Sequence, residues 1–455
     1  MAGSIYKYLN TYKESSTLAF FRMAFGIMMF FGLVRFALNG WIEEFYLLPV
    51  FHFSYFGFEW VKPIGNYTYL LFVLCGISSL TVAAGYKYRI SIILFFLSFT
   101  YIELMDKTTY LNHYYFVSVI SFAMVFLPAN AGYSIDALKN PKLAFSQIPA
   151  WTIDSLKLLL GIVYFYAGLA KLNSDWLFEA MPLQIWLPNN FNLPLIGSFL
   201  NQVWAQYAFS WIGMVYDLAI VFLLLYKPTR LFAFALVVIF HVLTRILFPI
   251  GIFPYIMIIS TLIFFDSRFH ERFLDFVFRF FGVATDVFKN GKFKTLFYSF
   301  SSKVTLYFYA VFISFQLLFP FRYLLYPDEL FWTEEGYRFS WRVMLMEKAG
   351  YTEFIVTDPD TKEKIYVNNR DFLTTFQEKQ MSFQPDFILE YAHFLRDYYQ
   401  KRGILNPEVR VKSYVALNGR LSKLYIDPQT DLAKQQDTFR HKTWILPFND
   451  EIKGF

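Results

Sequence analysis

Cysteine is almost absent from this 455-residue chain: Cys75 is the only one, and it sits inside an apolar run. No intramolecular disulfide and no cysteine-based metal site can be built from it. Charge is scarce as well. Asp, Glu, Lys and Arg make up 17% of the residues, against about 25% in soluble domains, which excludes a wholly soluble fold. No phosphate-cradling glycine loop, dinucleotide fingerprint or serine-hydrolase elbow occurs. The first apolar segment is long and lacks a small-residue cleavage site, so it reads as a signal anchor rather than a cleavable signal peptide. Hydrophobic residues take up the space, at 56%, with 58 Phe and 33 Tyr. These aromatics lie in long apolar runs and are not interleaved with basic residues, and the net charge is only +6, which argues against nucleic-acid binding.

The apolar runs have the length of membrane spans. A spanning helix needs about 20 mostly apolar residues, and that ruler finds about nine candidates. They are Thr17–Leu38, Tyr67–Gly85, Arg89–Met105, Tyr110–Leu127, Ile153–Lys171, Tyr207–Tyr226, Leu231–Phe248, Gly251–Phe265 and Val304–Phe321. Lys and Arg alternate between the connections. One set carries Lys7, Lys13, Lys87, Arg89, Lys139, Lys142, Lys227, Arg230 and the cluster from Arg268 to Lys303. The other set carries Lys62, Lys107 and Lys171, accompanied by acidic residues. The excess of positive charge on the inside places the N-terminus in the cytoplasm and, with an odd number of spans, everything after Phe321 outside it.

The expected fold is therefore a polytopic α-helical membrane protein with a soluble, β-rich α+β domain outside the cytosol. Residues 1–322 form the membrane domain. Within it, 266–302 is an amphipathic cytoplasmic segment lying along the inner membrane surface. Residues 323–455 form the extracytoplasmic domain, of ordinary size for one domain. In it, Glu353–Asp358 and Lys364–Val367 read as a strand pair, and Arg370–Lys379 and Asp386–Lys401 as helices. Arg410–Leu417 and Arg420–Ile426 flank Asn418-Gly419, a favoured two-residue hairpin turn. A bacterial inner membrane fits a cysteine-poor chain with an exported domain. Nothing in the sequence sets the oligomeric state.

Ionisable side chains within spans are costly, and each is a candidate functional group. Asn112 and His113 open the fourth span, Lys171 closes the fifth, and His241 and Arg245 stand one turn apart in the seventh. By this topology all lie toward the outer leaflet and converge on one pocket. Each also has a plain structural reading. Lys171 can snorkel to the interface, His113 and His241 can be satisfied packing residues, and Arg245 can pair with Asp217 or a lipid phosphate. Zinc needs three ligands in reach and only two histidines qualify, so no metal is expected. The remaining histidines, His52, His270, His393 and His441, fall in connections or in the tail.

Four stretches resemble the vitamin K-dependent gamma-carboxylases. Asp106-Lys107-Thr108 followed by Asn112-His113 is similar to that family's DKT…NH segment. Ala167-Gly168-Leu169-Ala170-Lys171-Leu172-Asn173-Ser174-Asp175-Trp176 is similar to its AG..KL..DW segment. Phe240-His241 followed by Ile250-Gly251-Ile252-Phe253 resembles its FH…IG.F hairpin. In the tail, Ser340-Trp341, Asn418, Asp427-Pro428 and Thr443-Trp444 resemble spaced pieces of its lumenal domain. The resemblance runs from about Phe20 to Pro447.

The resemblance implies gamma-carboxylation of glutamate coupled to oxygenation of a reduced naphthoquinone, vitamin K hydroquinone, to its epoxide, with O2 and CO2 as co-substrates. The glutamate γ-proton is too weakly acidic for a side-chain base, so the family makes a strong base by oxygenating the quinol. Lys171 matches the lysine that first deprotonates the quinol, which requires a neutral amine, favoured by burial or a positive neighbour. His113, Asn112 and His241 complete the implied catalytic set. Tyr110, Asn112, His113 and Arg245 are expected to bind the quinol. The implied partners are an exported peptide or protein carrying glutamate, and membrane lipids.

The chain departs from the animal members at several positions. Tyr110 and Leu111 replace a tryptophan and an asparagine, Ala170 replaces a lysine, Arg245 stands where the animal members are uncharged, and Met346-Glu347-Lys348 replaces a histidine-rich run. Two other readings stay open: a quinol epoxidase without carboxylation, and a non-catalytic membrane protein that binds a quinone or lipid.

Overall fold

The computed structural model describes residues 2–283 and 300–454. Ten helices carry the membrane part: α1 (Ser16–Leu38), α2 (Thr68–Ala84), α3 (Tyr88–Leu104), α4 (Asn112–Val125), α5 (Ala150–Leu169), α6 (Val203–Leu225), α7 (Arg230–Leu247), α8 (Phe253–Thr261), α9 (Ser267–Phe280) and α10 (Phe300–Leu318). Among the described residues, six helical stretches are long and apolar enough to cross a membrane: Ser16–Leu38, Gly65–Ala84, Ala150–Leu169, Val203–Leu225, Arg230–Leu247 and Lys303–Leu325. Helices also stand at the other three expected positions, but α3, α4 and α8 have only 17, 14 and 9 residues. At about 1.5 Å per residue, α4 reaches about 21 Å, less than the ~30 Å hydrocarbon core.

Close packing replaces charge as the organiser of this part. α2 ends on Gly85 at φ +63°, and a side chain there would meet Ser134 Cβ at 2.4 Å and Arg22 Nη1 at 2.6 Å. Arg22 is fully buried and donates to the carbonyl oxygens of Ala129 (2.8 Å) and Tyr133 (2.6 Å). It therefore ties α1 to the loop after α4 and is paired through hydrogen bonds alone. Two short strands, β1 (Tyr12–Glu14) and β2 (Gln147–Pro149), join the starts of α1 and α5. The amphipathic α9 buries His270 and Leu274 against α1 and exposes Phe269, Phe273, Phe276 and Phe280. In the amphipathic segment expected over 266–302, residues 284–299 lie outside the described residues.

The tail is an α+β domain. Its sheet has the order β4-β3-β5-β6, all antiparallel, built from β3 (Lys348–Thr357), β4 (Lys364–Val367), β5 (Glu408–Leu417) and β6 (Lys423–Leu424). β5 alternates buried and exposed residues, so Val409, Val411, Val415 and Leu417 share the inner face. Helices α11 (Thr375–Met381) and α12 (Pro385–Gln400) follow β4, and α12 lays Phe387, Ile388, Tyr391 and Leu395 on that face. The expected strand pair around Asp358-Pro359-Asp360 is present. The helix expected from Arg370 begins only at Thr375, where Thr374 and Gln377 form a reciprocal cap. Asn418 and Gly419 do turn the chain, at φ +48° and +76°, but pairing resumes only at Lys423. The strand expected over Arg420–Ile426 is therefore two residues long. Arg420 is drawn off the sheet by Asp175 and Asp450.

The tail and the membrane part share one core. Phe53, Trp176, Leu183, Met214 and Leu247 from the membrane part belong to the same buried cluster as Trp332, Phe354 and Phe387 from the tail. Polar contacts reinforce it. Asp175 accepts from Nη1 and Nη2 of Arg420, at 2.7 and 2.8 Å, and from the side-chain amide of Asn418 at 2.8 Å. Asp386 receives Lys107 at 2.7 Å and Arg338 at 2.8 Å. Burial alone would push the Asp386 carboxyl up, but the two cations outweigh it and hold it well below the usual carboxylate range. The same contact raises Lys107 above its ordinary value, against the opposing effect of its burial.

A depressed carboxyl stabilises the fold above its unfolded value, about 4, and loses that contribution as pH falls further. Asp386→Ala is therefore expected to cost about 3 kcal/mol at neutral pH by leaving two buried cations with only their longer contacts, Lys107 to Glu390 at 3.4 Å and Arg338 to Glu334 at 3.9 Å. Thermal unfolding of wild type and variant in detergent checks it. The gap should be full at pH 7 and narrow only below about pH 4.

Candidate active site

The residues that end α5 meet α6 at unusually short range. A Cβ at Gly168 would lie 2.8 Å from the backbone nitrogen of Leu218, so the two helices touch where this glycine stands. That approach brings Asp217 beside Lys171. The Lys171 ammonium donates to Asp217 Oδ2 at 2.8 Å and to the Ala167 carbonyl oxygen at 3.1 Å, and its Nζ stands 5.2 Å from the centre of the Trp176 ring. Both members of the pair are buried. Trp176 is fixed in turn: Asn173 caps its backbone nitrogen at 2.9 Å, and its indole donates to the Ser210 carbonyl oxygen at 2.9 Å.

Lys171 and Asp217 stand in the wall of a cavity of about 90 Å³, room for a few waters. Trp176, Trp186, Phe209, Phe240, Phe248 and Phe253 make its lining strongly aromatic. His241 also lines it. The Nε2 of His241 lies 2.9 Å from the Tyr164 hydroxyl, and its Nδ1 is buried without a partner among the described residues. Val343 and Met344 of the tail close one side.

The other expected site residues divide into two groups. His113 is buried and lies behind the cavity wall. Its ring centre is 5.7 Å from that of Phe253, which is 5.6 Å from His241 on the other side. Asn112 and Tyr110 do not line the cavity. The Tyr110 hydroxyl accepts from the Phe339 backbone N–H at 2.8 Å and donates to Asn112 Oδ1 at 3.1 Å. Asn112 Nδ2 donates to the Arg342 carbonyl oxygen at 3.0 Å. Together they hold the stretch that leads into Val343 and Met344. Phe339, Trp341 and Met344 have φ values of +60°, +59° and +54°, a region bulky residues enter only when their surroundings force them. Tyr110 and Asn112 thus position a strained tail segment over the cavity and do not themselves line it.

Arg245 is not brought to the site. It is exposed and has no ion-pair partner among the described residues, and Asp217 is taken by Lys171. Four residues overshoot a helical turn by about 40°. The buried stripe Ala233, Val237, His241 therefore leaves Arg245 outside. Asp217 itself is the important residue that sequence reasoning undervalued. It is the only charged residue in Val203–Leu225, and that isolation was the available signal. Val343 and Met344 carried no signal, because nothing local marks a tail residue as part of a cavity between helices. Among the described residues no group of three or more His, Cys, Asp or Glu side chains gathers into a metal site.

Comparison with known families matches residues 10–269 to the HTTM domain, more than half of the chain. Residues 301–451 match the vitamin K-dependent gamma-carboxylase lumenal domain. The chain belongs to the vitamin K-dependent gamma-carboxylase family. No solved structure matches it. The boundary between the two matches falls just before α10, so this gamma-carboxylase family member carries its last long apolar helix with the tail.

Two glycines on facing helices distinguish the close contact from ordinary packing. Gly168→Ala must push α6 away and is expected to destabilise the chain by about 1–3 kcal/mol. At Gly213 the added carbon would meet only Trp176, at 3.8 Å, so Gly213→Ala should be neutral or mildly stabilising. Thermal midpoints of the two variants in the same detergent compare them directly.

Proposed function

We propose that this chain is a quinol-dependent carboxylase of glutamate side chains in an exported polypeptide, with O2 and CO2 as co-substrates. The observation that carries the reading is the Lys171–Asp217 pair in the wall of an aromatic cavity closed by the tail. The chemistry of the lining suits a reduced naphthoquinone, for which the cavity of about 90 Å³ must widen: aromatic walls for its rings, an amine–carboxylate pair for a hydroxyl, and a buried His241 Nδ1 with no partner among the described residues. When bound, that cofactor supplies the strong base for the glutamate γ-proton and leaves as its epoxide.

The chain's own residues prepare this. A lysine held by a carboxylate carries its proton and cannot accept another. Movement of that proton along the 2.8 Å bond to Asp217 Oδ2 leaves Nζ neutral and able to take the proton of a phenolic hydroxyl. The largely apolar lining offers the pair few polar contacts beyond those already named. Tyr164 fixes the His241 ring through Nε2. The apolar lining keeps out water that would quench a strong base. A charged glutamate is costly to bring through the apolar helices, so the polypeptide approaches from the tail side, at the wall made by Val343 and Met344. The arrangement that serves this best has α1–α8 and α10 embedded in a bacterial inner membrane and α9 along its inner surface, with the N-terminus cytoplasmic and the tail outside.

Purified chain in detergent, supplied with reduced vitamin K, oxygen, labelled bicarbonate and a glutamate peptide, tests the proposal. Wild type should yield epoxide and acid-stable label together. Lys171→Ala should abolish both, with partial recovery at high pH as the quinol ionises without help. Asp217→Asn should lower both by about 100-fold, by removing the proton's destination. Epoxide without label would leave an oxygenase alone, and neither product would move the chain to quinone or lipid binding. Neutral-pH turnover in Lys171→Ala at the wild-type rate would refute its role as base.

A further inference from the structure

A second cavity, of about 910 Å³, lies at the opposite end of the helices from the tail. It opens where α1, α5 and α7 begin and α9 crosses them, whereas Lys171 and the tail contacts stand past the other end of α5. Six cations surround it: Lys13, Lys157, Lys227, Arg230, Arg268 and Arg272. Among the described residues two carboxylates, Glu14 and Asp266, share its wall, and Asp154 reaches two of the cations from outside it. Asp154 pairs with Lys13 and Lys157, Asp266 with Lys227 and Arg230, and Glu14 also lines the wall. Arg268 and Arg272 are exposed, lie four residues apart on α9 and have no ion-pair partner among the described residues. So large a surplus of one sign in a concave site calls for an anion, and paired guanidinium groups suit phosphate oxygens.

The rim identifies the kind of phosphate. Leu231 is 72% and Phe269 40% exposed, and both line the same cavity. Beyond them α9 presents Phe273, Phe276 and Phe280 outward, the face of a helix that lies in a membrane interface. A free phosphate ion has no use for such a rim, whereas acyl chains do. We propose that this cavity binds the phosphate of an anionic phospholipid in the leaflet opposite the tail, with the acyl chains leaving along Leu231 and Phe269. Basic pockets between spanning helices on this face have the charge and depth that such headgroups require. The lipid pins α9 against the helix starts and needs none of the quinol chemistry.

The test uses the purified full chain in detergent, titrated separately with phosphatidylglycerol, phosphatidylcholine and inorganic phosphate, with bound lipid counted by native mass spectrometry. Phosphatidylglycerol should be retained where phosphatidylcholine is lost. Arg268→Gln combined with Arg272→Gln should weaken that retention by about 30-fold, the effect of two basic contacts. Both arginines are exposed, and the wild-type comparison of the two lipids stands without any variant. Equal retention of the two lipids would overturn the proposal, as would full retention by the double variant. Displacement of phosphatidylglycerol by millimolar inorganic phosphate would show an ion site and overturn the lipid assignment.

Discussion

Two opposite charges withdrawn from water set the terms for this molecule. Lys171 and Asp217 each lose several kcal/mol of hydration on burial, and they recover it only at contact distance. That distance requires α5 and α6 to touch, which requires Gly168, and it requires a lid, because an open cavity would hydrate both groups. The aromatic lining, the Trp176 ring under the ammonium and the tail residues above can all be understood as conditions for keeping that pair dry.

The lid explains why the tail is built into the membrane part rather than tethered to it. A flexible tether would leave Val343 and Met344 free to move, and the cavity would open whenever the tail swung. Instead the two parts share a hydrophobic core, and charged clusters on Asp175 and Asp386 fix the angle between them. The left-handed residues Phe339, Trp341 and Met344 show where the fit is tight enough to hold backbone in costly conformations. Tyr110 and Asn112 supply hydrogen bonds that offset some of that cost.

The parts legible in the sequence were those with a local physical signature. Apolar runs located the helices, because burying the backbone in lipid leaves no other solution. Alternation and an Asp-Pro-Asp turn located β3 and β4. Lys171 and His241 were conspicuous as polar groups in apolar surroundings, and both line the cavity. What was not legible depends on distance in sequence. Arg245 looked equivalent to His241 by spacing, but each four-residue step drifts about 40°, and the drift accumulated from Ala233 carries Arg245 out of the buried stripe. Asn112 and Tyr110 looked like ligands because they stand beside His113, yet their partners are more than 200 residues away, in the tail. Helix lengths were less legible: α4 ends at Val125, and α8 continues past Thr261 only as the 3-10 turn Leu262–Phe264, which composition does not record.

The shared core also has a consequence in time. A chain made from its N-terminus inserts α1 to α10 before β3 exists, so Lys171 and Asp217 come together in the membrane while the cavity still lacks its wall. Val343 and Met344 arrive later, and they are locked only when Asn418 and Arg420 reach Asp175 and when Lys453 bonds Ser174, two residues before Trp176. Assembly of the site is thereby deferred to the close of synthesis. A ribosome that stalls early in the tail leaves a bundle whose cavity is unsealed.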